Sequence, residues 1–555
     1  MKKNAYIKVH GKPFLTLGGQ THNSSSYVLS EMGPSFAAVH AIGGNTMSTP
    51  IPWDAFEPEE GKFDRKFVTD LIDEARKQRI HLVFLWFASW KNGTMEYCPA
   101  WVKRDKARFP RAIQKDGTVM HQLSAHSRAN LEADCRAFCE LVRILWEYDR
   151  NEQTVIAVQV ENEAGILGGS RRDFSALGEA AFRENVPQEL IDYCEAHEDC
   201  FMAKTFRRCG AKKNAPWQET FGYWGAEWVT AYAIARYMDQ IANAGKQIYP
   251  ELFFYANVWL DGGMRGSNLN QGGLDWPAGC PTIHNLDVYY ACVKYLDTIA
   301  PDNYNGAPLR HREVTDAYAH PESGFPLFVP ESGATPLNAG QIIYAFGEKQ
   351  AIGYHIFGIE SILEEDGVTA NARAMMIRRS FEMLKSIEPL LFEYQQNGRL
   401  FTAVQEPGED SVVLEDAADG LKACVVFGQV AGDWPSFDFR HRADRARLGA
   451  QDPAAVAGIT KEPGRLLLLR VSDKVFYLVG HGARVRFAGY PMDGSMSNIV
   501  TSNLLFSENA ELVSVKEGWL DETGAFHTRL VRSGDEVRHG IWCQADCGVI
   551  RVELV

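Results

Sequence analysis

Short apolar runs rich in β-branched and aromatic residues alternate along this chain with stretches whose apolar residues recur every three to four positions, the rhythm of strand followed by helix. The clearest run is Val155-Ile-Ala-Val-Gln-Val160. Its nearly continuous hydrophobicity reads as a parallel strand buried on both faces. Comparable runs predict strands at Phe14–Leu17, Gly43–Met47, His81–Phe87, Leu252–Trp259, Asp297–Tyr304, Phe325–Glu331 and Ala351–Glu360. Helical spacing predicts helices over Arg65–Arg79, Asn130–Tyr148, Ala231–Ala244 and Asn371–Glu388. After about Phe392 the grammar changes to short alternating runs punctuated by Gly and Asp, such as Ala423–Phe427 and Lys474–Val479, which predict antiparallel strands. Residues 168–225 are polar, Arg-rich and irregular and read as an insertion. The expected fold is therefore α/β, a (β/α)8 TIM barrel over 1–391 followed by an antiparallel β-sandwich-like domain over 392–555.

A buried strand should not end in charge, yet Val155–Val160 runs straight into Glu161, Asn162 and Glu163. In barrels and doubly wound sheets this carboxyl end of a strand is where active sites are built. Phe325-Pro-Leu-Phe-Val-Pro-Glu331 repeats the pattern about a third of the chain further on. Two carboxylates delivered to one cleft suit glycoside hydrolysis: one protonates the leaving oxygen and the other attacks the anomeric carbon, with about 5 Å between them for retention. A single glutamate after a strand is more often a helix-start or ion-pair residue. The pair carries more weight because Asn162 precedes Glu163, where an amide can hold a sugar hydroxyl beside the acid.

At these residues the chain resembles the clan of retaining glycosidases built on a (β/α)8 barrel, and within it the β-galactosidases of glycoside hydrolase family 35 and their divergent relatives. The resemblance spans roughly residues 5–390. It rests on Gly11-Lys-Pro-Phe-Leu-Thr-Leu-Gly-Gly19, Asn45-Thr46 through Pro52-Trp53 to Glu57-Pro-Glu-Glu-Gly-Lys-Phe-Asp64, Pro99-Ala-Trp-Val102 and Gln159-Val-Glu-Asn-Glu163. It implies a retaining, exo-acting β-galactosidase needing no cofactor or catalytic metal, with Glu163 as acid/base and Glu331 as nucleophile. Asp302-Asn-Tyr304 matches the clan's Asp-x-Tyr phrase, which would let Tyr304 hold the nucleophile. Asn162, Trp53, Glu57, His22, Trp90, Lys91, Trp259 and Glu360 are the further candidates for substrate contact. Where family 35 carries a galactose-contacting tyrosine, two residues before the Pro-Trp pair, this chain has Pro50. Glucosides, fucosides and arabinosides therefore stay open as substrates, as does a non-catalytic carbohydrate-binding barrel.

Composition narrows the partners. With 57 Lys and Arg against 71 Asp and Glu, the net charge of −14 argues against nucleic acid and suits an uncharged glycoside, small or oligomeric. Self-association into a homo-oligomer stays open. No apolar run has the length of a membrane span, and Met1-Lys-Lys-Asn-Ala-Tyr6 is not followed by an apolar secretion segment. Eleven scattered cysteines, an odd number, read as reduced thiols, and the expected setting is cytoplasmic. Cys135/Cys139 and Cys543/Cys547 each lack the second half of a zinc site.

Overall fold

The computed structural model describes residues 6–260, 271–320, 324–409, 411–415, 422–427, 462–488, 511–532, 534–537 and 540–555. Parallel staves form the barrel: β1 Thr16–Gln20, β2 Thr46–Pro52, β3 His81–Lys91, β4 Val155–Asn162, β5 Phe253–Val258, β6 Thr298–Asn303, β7 Phe328–Val329 with Glu331–Ser332, and β8 Gly353–Phe357. Stave β7 is broken at Pro330, which has no N–H for the ladder. Its first half pairs with β8 and its second half with β6, setting Glu331 opposite Asp302. Because β8 returns to β1, the ring closes into a (β/α)8 barrel. At the β1–β2 seam a Cβ on Gly18 would lie 1.9 Å from the carbonyl oxygen of Thr46, so only glycine lets the two staves meet there.

Each stave leads to a helix: α1 Gly33–Ala41, α2 Arg65–Gln78, α3 Arg128–Tyr148, α4 Gly225–Ile248, α5 Leu286–Cys292, α6 Pro308–Tyr318, α7 Pro336–Lys349 and α8 Ala372–Ser386. Local chemistry starts and stops them. The Asp64 carboxylate caps α2 by accepting the Phe67 N–H at 3.0 Å, and Arg79 ends it in the left-handed region, φ +55°. Ser127 caps α3, whose buried stripe of Ala137, Phe138, Leu141, Val142 and Leu145 faces the sheet.

The insertion after β4 forms four short helices, Ala176–Arg183, Gln188–Ala196, Phe201–Arg208 and Trp217–Phe221. Its rings Trp217 and Phe221 are buried with Trp228 of α4, with Phe221 and Trp228 edge to face at 4.8 Å. This aromatic cluster docks the insertion on α4. The loop after β5 is described from residue 271 on. That part is tied to the segment after Glu163, where the Ile166 N–H donates to the Ala278 carbonyl at 2.9 Å.

The C-terminal strands are β9 Leu400–Val404, β10 Ser411–Glu415, β11 Lys422–Phe427, β12 Arg465–Arg470, β13 Val475–His481, β14 Ala483–Ala488, β15 Leu512–Leu520, β16 Phe526–Arg532, β17 Ile541–Cys543 and β18 Val549–Leu554. They form a six-stranded sheet, ordered β9-β12-β13-β18-β15-β16, and a four-stranded sheet, β10-β11-β14-β17. Leu466 and Leu468 of β12 join Val425, Val485 and Ile541 in the core between the sheets. Leu467 and Leu469, on the opposite face, join the barrel's core. The unbroken apolar run of β12 follows from this, because alternate residues serve two cores. Arg465 fastens the junction from complete burial, donating to Ser380 Oγ at 2.8 Å and to the Met376 carbonyl at 3.1 Å on α8.

One ion pair is buried in the barrel wall. Lys246 at the end of α4 donates to Asp297 Oδ2 at 2.7 Å and to the Leu252 carbonyl at 2.8 Å. Lys246→Met leaves Asp297 buried without its cation, so unfolding stability should fall by about 3–5 kcal/mol. The urea midpoint measures it, and a change under about 1 kcal/mol would show that the pair contributes little.

Candidate active site

Glu163 leaves β4 through a strained turn. Glu161 at φ +62° and Glu163 at φ +46° both occupy the left-handed region that residues with a Cβ avoid, and such strain persists only where neighbours hold it. Two do so here. The Glu161 carboxylate accepts the Trp90 N–H at 2.8 Å, and the Glu163 N–H donates to Asn257 Oδ1 at 2.8 Å. Asn162 between them is fully buried, and neither end of its amide has a partner among the described residues. A buried amide left in that state is ready for a ligand's hydroxyl.

Glu331 is held differently. Gln20, the last residue of β1, donates to its Oε1 at 2.7 Å, and Tyr304, just past β6, donates to its Oε2 at 2.8 Å. Two donors on one carboxylate fix its direction. Burial of its hydroxyl end, followed by the charge of Glu331, pushes the Tyr304 hydroxyl up, so it stays a donor.

Burial pushes the Glu163 carboxyl up to about 7; the Glu331 charge adds to the rise, while Lys91 and a hydrogen bond from Asp302 oppose it. One carboxyl that keeps a proton near neutrality beside one held by two donors is the arrangement that divides acid from nucleophile. The set can protonate a leaving oxygen on one side of a bound acetal and attack its carbon on the other. Among the described residues no group of three or more His, Cys, Asp or Glu is arranged to hold a metal ion.

The other sequence candidates separate. Lys91 ends β3 opposite Asn162 and acts on Glu163 through its charge. His22 and Glu360 lie together at the rim, 3.9 Å apart, with the His22 ring edge-on to Phe357, which in turn meets the Tyr304 ring. Glu360 ties the chain after β8 to that after β1 by accepting from Ser25 and Ser35. Trp259 is half-buried directly after β5.

Two candidates for sugar contact are corrected. Trp53 is fully buried and its indole N–H is taken by Glu57 at 2.7 Å. Glu57, also fully buried, is occupied by Trp53, the Gly61 N–H and Arg136. Trp90 is buried with its ring edge-on to Tyr237 of α4; its main-chain N–H donates to Glu161, and its indole N–H has no partner among the described residues. Sequence patterns for Trp-plus-acid in a loop do not distinguish a ring that stacks on sugar from one that closes the wall.

Gln20, Asn257 and Asp302 were not among the sequence candidates. Each carried a signal: a polar residue inside or ending an apolar, doubly buried strand, where the amide or acid needs a partner across the barrel. Glu161 is of the same kind. Its carboxyl shares a hydrogen bond with Asp134 of α3, and burial followed by that charge raises it well above the usual carboxylate range.

Residues 32–201, which hold β2 to β4 and Glu163, match a family model described as β-galactosidase. Residues 377–544 match a domain of unknown function (DUF5597). Among curated proteins, β-galactosidase-1-like protein 3 of Mus musculus is 29% identical over 34% of this chain and 27% of its own length. The Homo sapiens protein of that name is 28% identical over 34% and 27%. The match therefore takes in about a quarter of these relatives. Among solved structures, a β-galactosidase of Bacillus circulans sp. alkalophilus is 13% identical, with 72% of this chain and 58% of that one covered at a TM-score of 0.47. A β-galactosidase of Rahnella sp. R3 is 14% identical over 70% and 58%, at 0.46. The stretch that is similar to the β-galactosidase family model, 32–201, thus lies within a closed (β/α)8 barrel and carries Glu163.

Proposed function

We propose that the protein is a retaining, exo-acting β-galactosidase. Supporting this most directly is the unequal treatment of two strand-end glutamates in one buried site, Glu163 raised to about 7 and Glu331 gripped by Gln20 and Tyr304. Glu331 attacks the anomeric carbon while Glu163 gives its proton to the departing oxygen, leaving a glycosyl ester on Glu331. Glu163, now ionised, takes a proton from water as that water attacks the same carbon; the ester breaks and both glutamates return to their starting states. Asn162 binds the hydroxyl beside the reacting carbon. A cytoplasmic place of action is part of the proposal, supported by eleven cysteines that are all free thiols.

Pro50 has no side-chain hydroxyl to offer a sugar where family 35 has its tyrosine, which is why glucosides, fucosides and arabinosides belong in the same assay. The test is a panel of nitrophenyl glycosides, with the first-formed anomer read by proton NMR. Galactoside turnover that releases the β anomer first is the expected result. Release of the α anomer would overturn retention, and turnover of another sugar alone would overturn the substrate.

A further inference from the structure

The two glutamates are joined by more than the space between them. Across β4, β5, β6 and β7 runs a continuous link of side chain and main chain. The Glu163 N–H donates to Asn257 Oδ1 at 2.8 Å, and Asn257 Nδ2 donates to Asp302 Oδ2 at 2.7 Å. Asp302 is the register partner of Glu331 on the adjoining stave. All three residues of the link are at least nine-tenths buried: Asn257 and Asp302 at 2% and Glu163 at 9% exposure.

Asp302 has a further feature. Its Oδ1 is buried with no N–H or hydroxyl donor against it, while its carboxyl shares a hydrogen bond with that of Glu163. A hydrogen bond between two carboxyls requires a proton on one of them. We propose that Asn257 and Asp302 are a positioning brace for the acid/base: Asn257 sets the strained main chain of Glu163, and Asp302, as a neutral carboxylic acid, holds the Glu163 carboxyl toward the leaving-group oxygen. This rests on the glycosidase reading above for what Glu163 is aimed at. It does not rest on that reading for the brace itself.

The charge environment agrees with a neutral Asp302. Facing it are Glu163, Glu331, Lys91, Tyr255, Tyr304 and Cys280. Lys91 is the only cation of that group, against two other carboxyls. Burial first, then the charges of Glu331 and Glu163, raise Asp302 well above the usual carboxylate range. Chemically, a donor aimed at Glu163 steadies it most after it has given up its proton. The same contact then holds it in place to receive one from water. An ionised Asp302 would instead repel Glu163 at that moment.

The experiment uses the full chain and the aryl glycoside series of whichever sugar turns over, from 2,4-dinitrophenyl to phenyl. Asp302→Ala and Asn257→Ala should each cut kcat/KM about 100-fold for phenyl, whose departure needs a well-aimed acid, and less than about 5-fold for dinitrophenyl, which leaves unaided. The double variant should be no worse than the poorer single one, since the pair acts as a unit. Asp302→Asn is neutral, isosteric and still a donor, so it should keep activity within about 5-fold and leave the alkaline limb of kcat/KM in place. A loss equal for all leaving groups would reduce the pair to structural support and overturn the proposal. So would a fall of one pH unit or more in that limb in Asp302→Asn, because it would mean a negative charge had been removed from beside Glu163. Independently of turnover, difference infrared spectroscopy at pH 8 should show a protonated carboxyl band in the wild type that Asp302→Asn lacks. That band without any glycosidase activity would sink the glycosidase reading and leave the brace standing. Its absence would sink the neutral Asp302.

Discussion

Glu331→Ala should abolish hydrolysis, with kcat/KM down by at least about 10⁴-fold, or about 5.5 kcal/mol of transition-state stabilisation. The loss should be covalent in origin, not a failure to fold. Removing Glu331 strips the acceptor from Gln20 and Tyr304, but it also relieves the repulsion that its charge exerts on Glu163 and Asp302. These two effects oppose each other, so the urea midpoint should move little. The same reasoning gives a second readout: without the Glu331 charge, which contributes to holding Glu163 up near 7, Glu163 should titrate lower. Azide fits the space left by the carboxylate. It should restore turnover by attacking from the face Glu331 had used, giving the α-glycosyl azide. A β-azide, or no rescue with the fold intact, would remove Glu331 from the nucleophile's role.

How much of this site could be read without coordinates depended on where each residue's partners lie in the chain. Glu163 was legible because Val155–Val160 is a doubly buried stave and a charge at its end is a local contradiction. Glu331 was legible for the same reason, although Pro330 breaks its stave and lets the two halves pair with different neighbours. The (β/α)8 order and the β-rich tail followed from apolar periodicity. The depth of β12 did not, since two cores share its alternate leucines and only the packed domains reveal the second. β3 runs on to Lys91, four residues past the apolar run, because its polar end is sheltered beside Asn162. The partners of Glu331 and Glu163 were the hardest to see. Gln20 is 311 residues from Glu331, and Asn257 is 94 from Glu163. Such contacts are made by barrel closure: a polar residue in an apolar strand marks that a partner is needed, but nothing local says which residue it meets. Trp53 and Glu57 failed in the opposite sense. Their tight local pairing across four positions looks like loop chemistry but satisfies itself, leaving nothing for a sugar.

Glu163→Gln carries the other large effect, and its pattern is more diagnostic than its size. For phenyl glycosides, where the departing oxygen must be protonated, kcat/KM should fall about 10³-fold. For dinitrophenyl glycosides the first step needs no acid, so the glycosyl ester on Glu331 should form quickly and then persist, because no base activates water. A burst of dinitrophenol followed by slow turnover is therefore expected. Azide needs no base, and it should discharge the ester from the opposite face to give the β-glycosyl azide. The pH profile supplies the sign. The carboxyl of Glu163 is raised to about 7, so it is protonated and competent below that pH and loses its proton above it. In the wild type kcat/KM should thus decline on the alkaline side near pH 7, and in Glu163→Gln that decline should disappear, since glutamine does not titrate. If the limb survives the substitution, another group carries the proton, and Asp302, the neighbouring carboxyl with a proton of its own, becomes the first residue to replace.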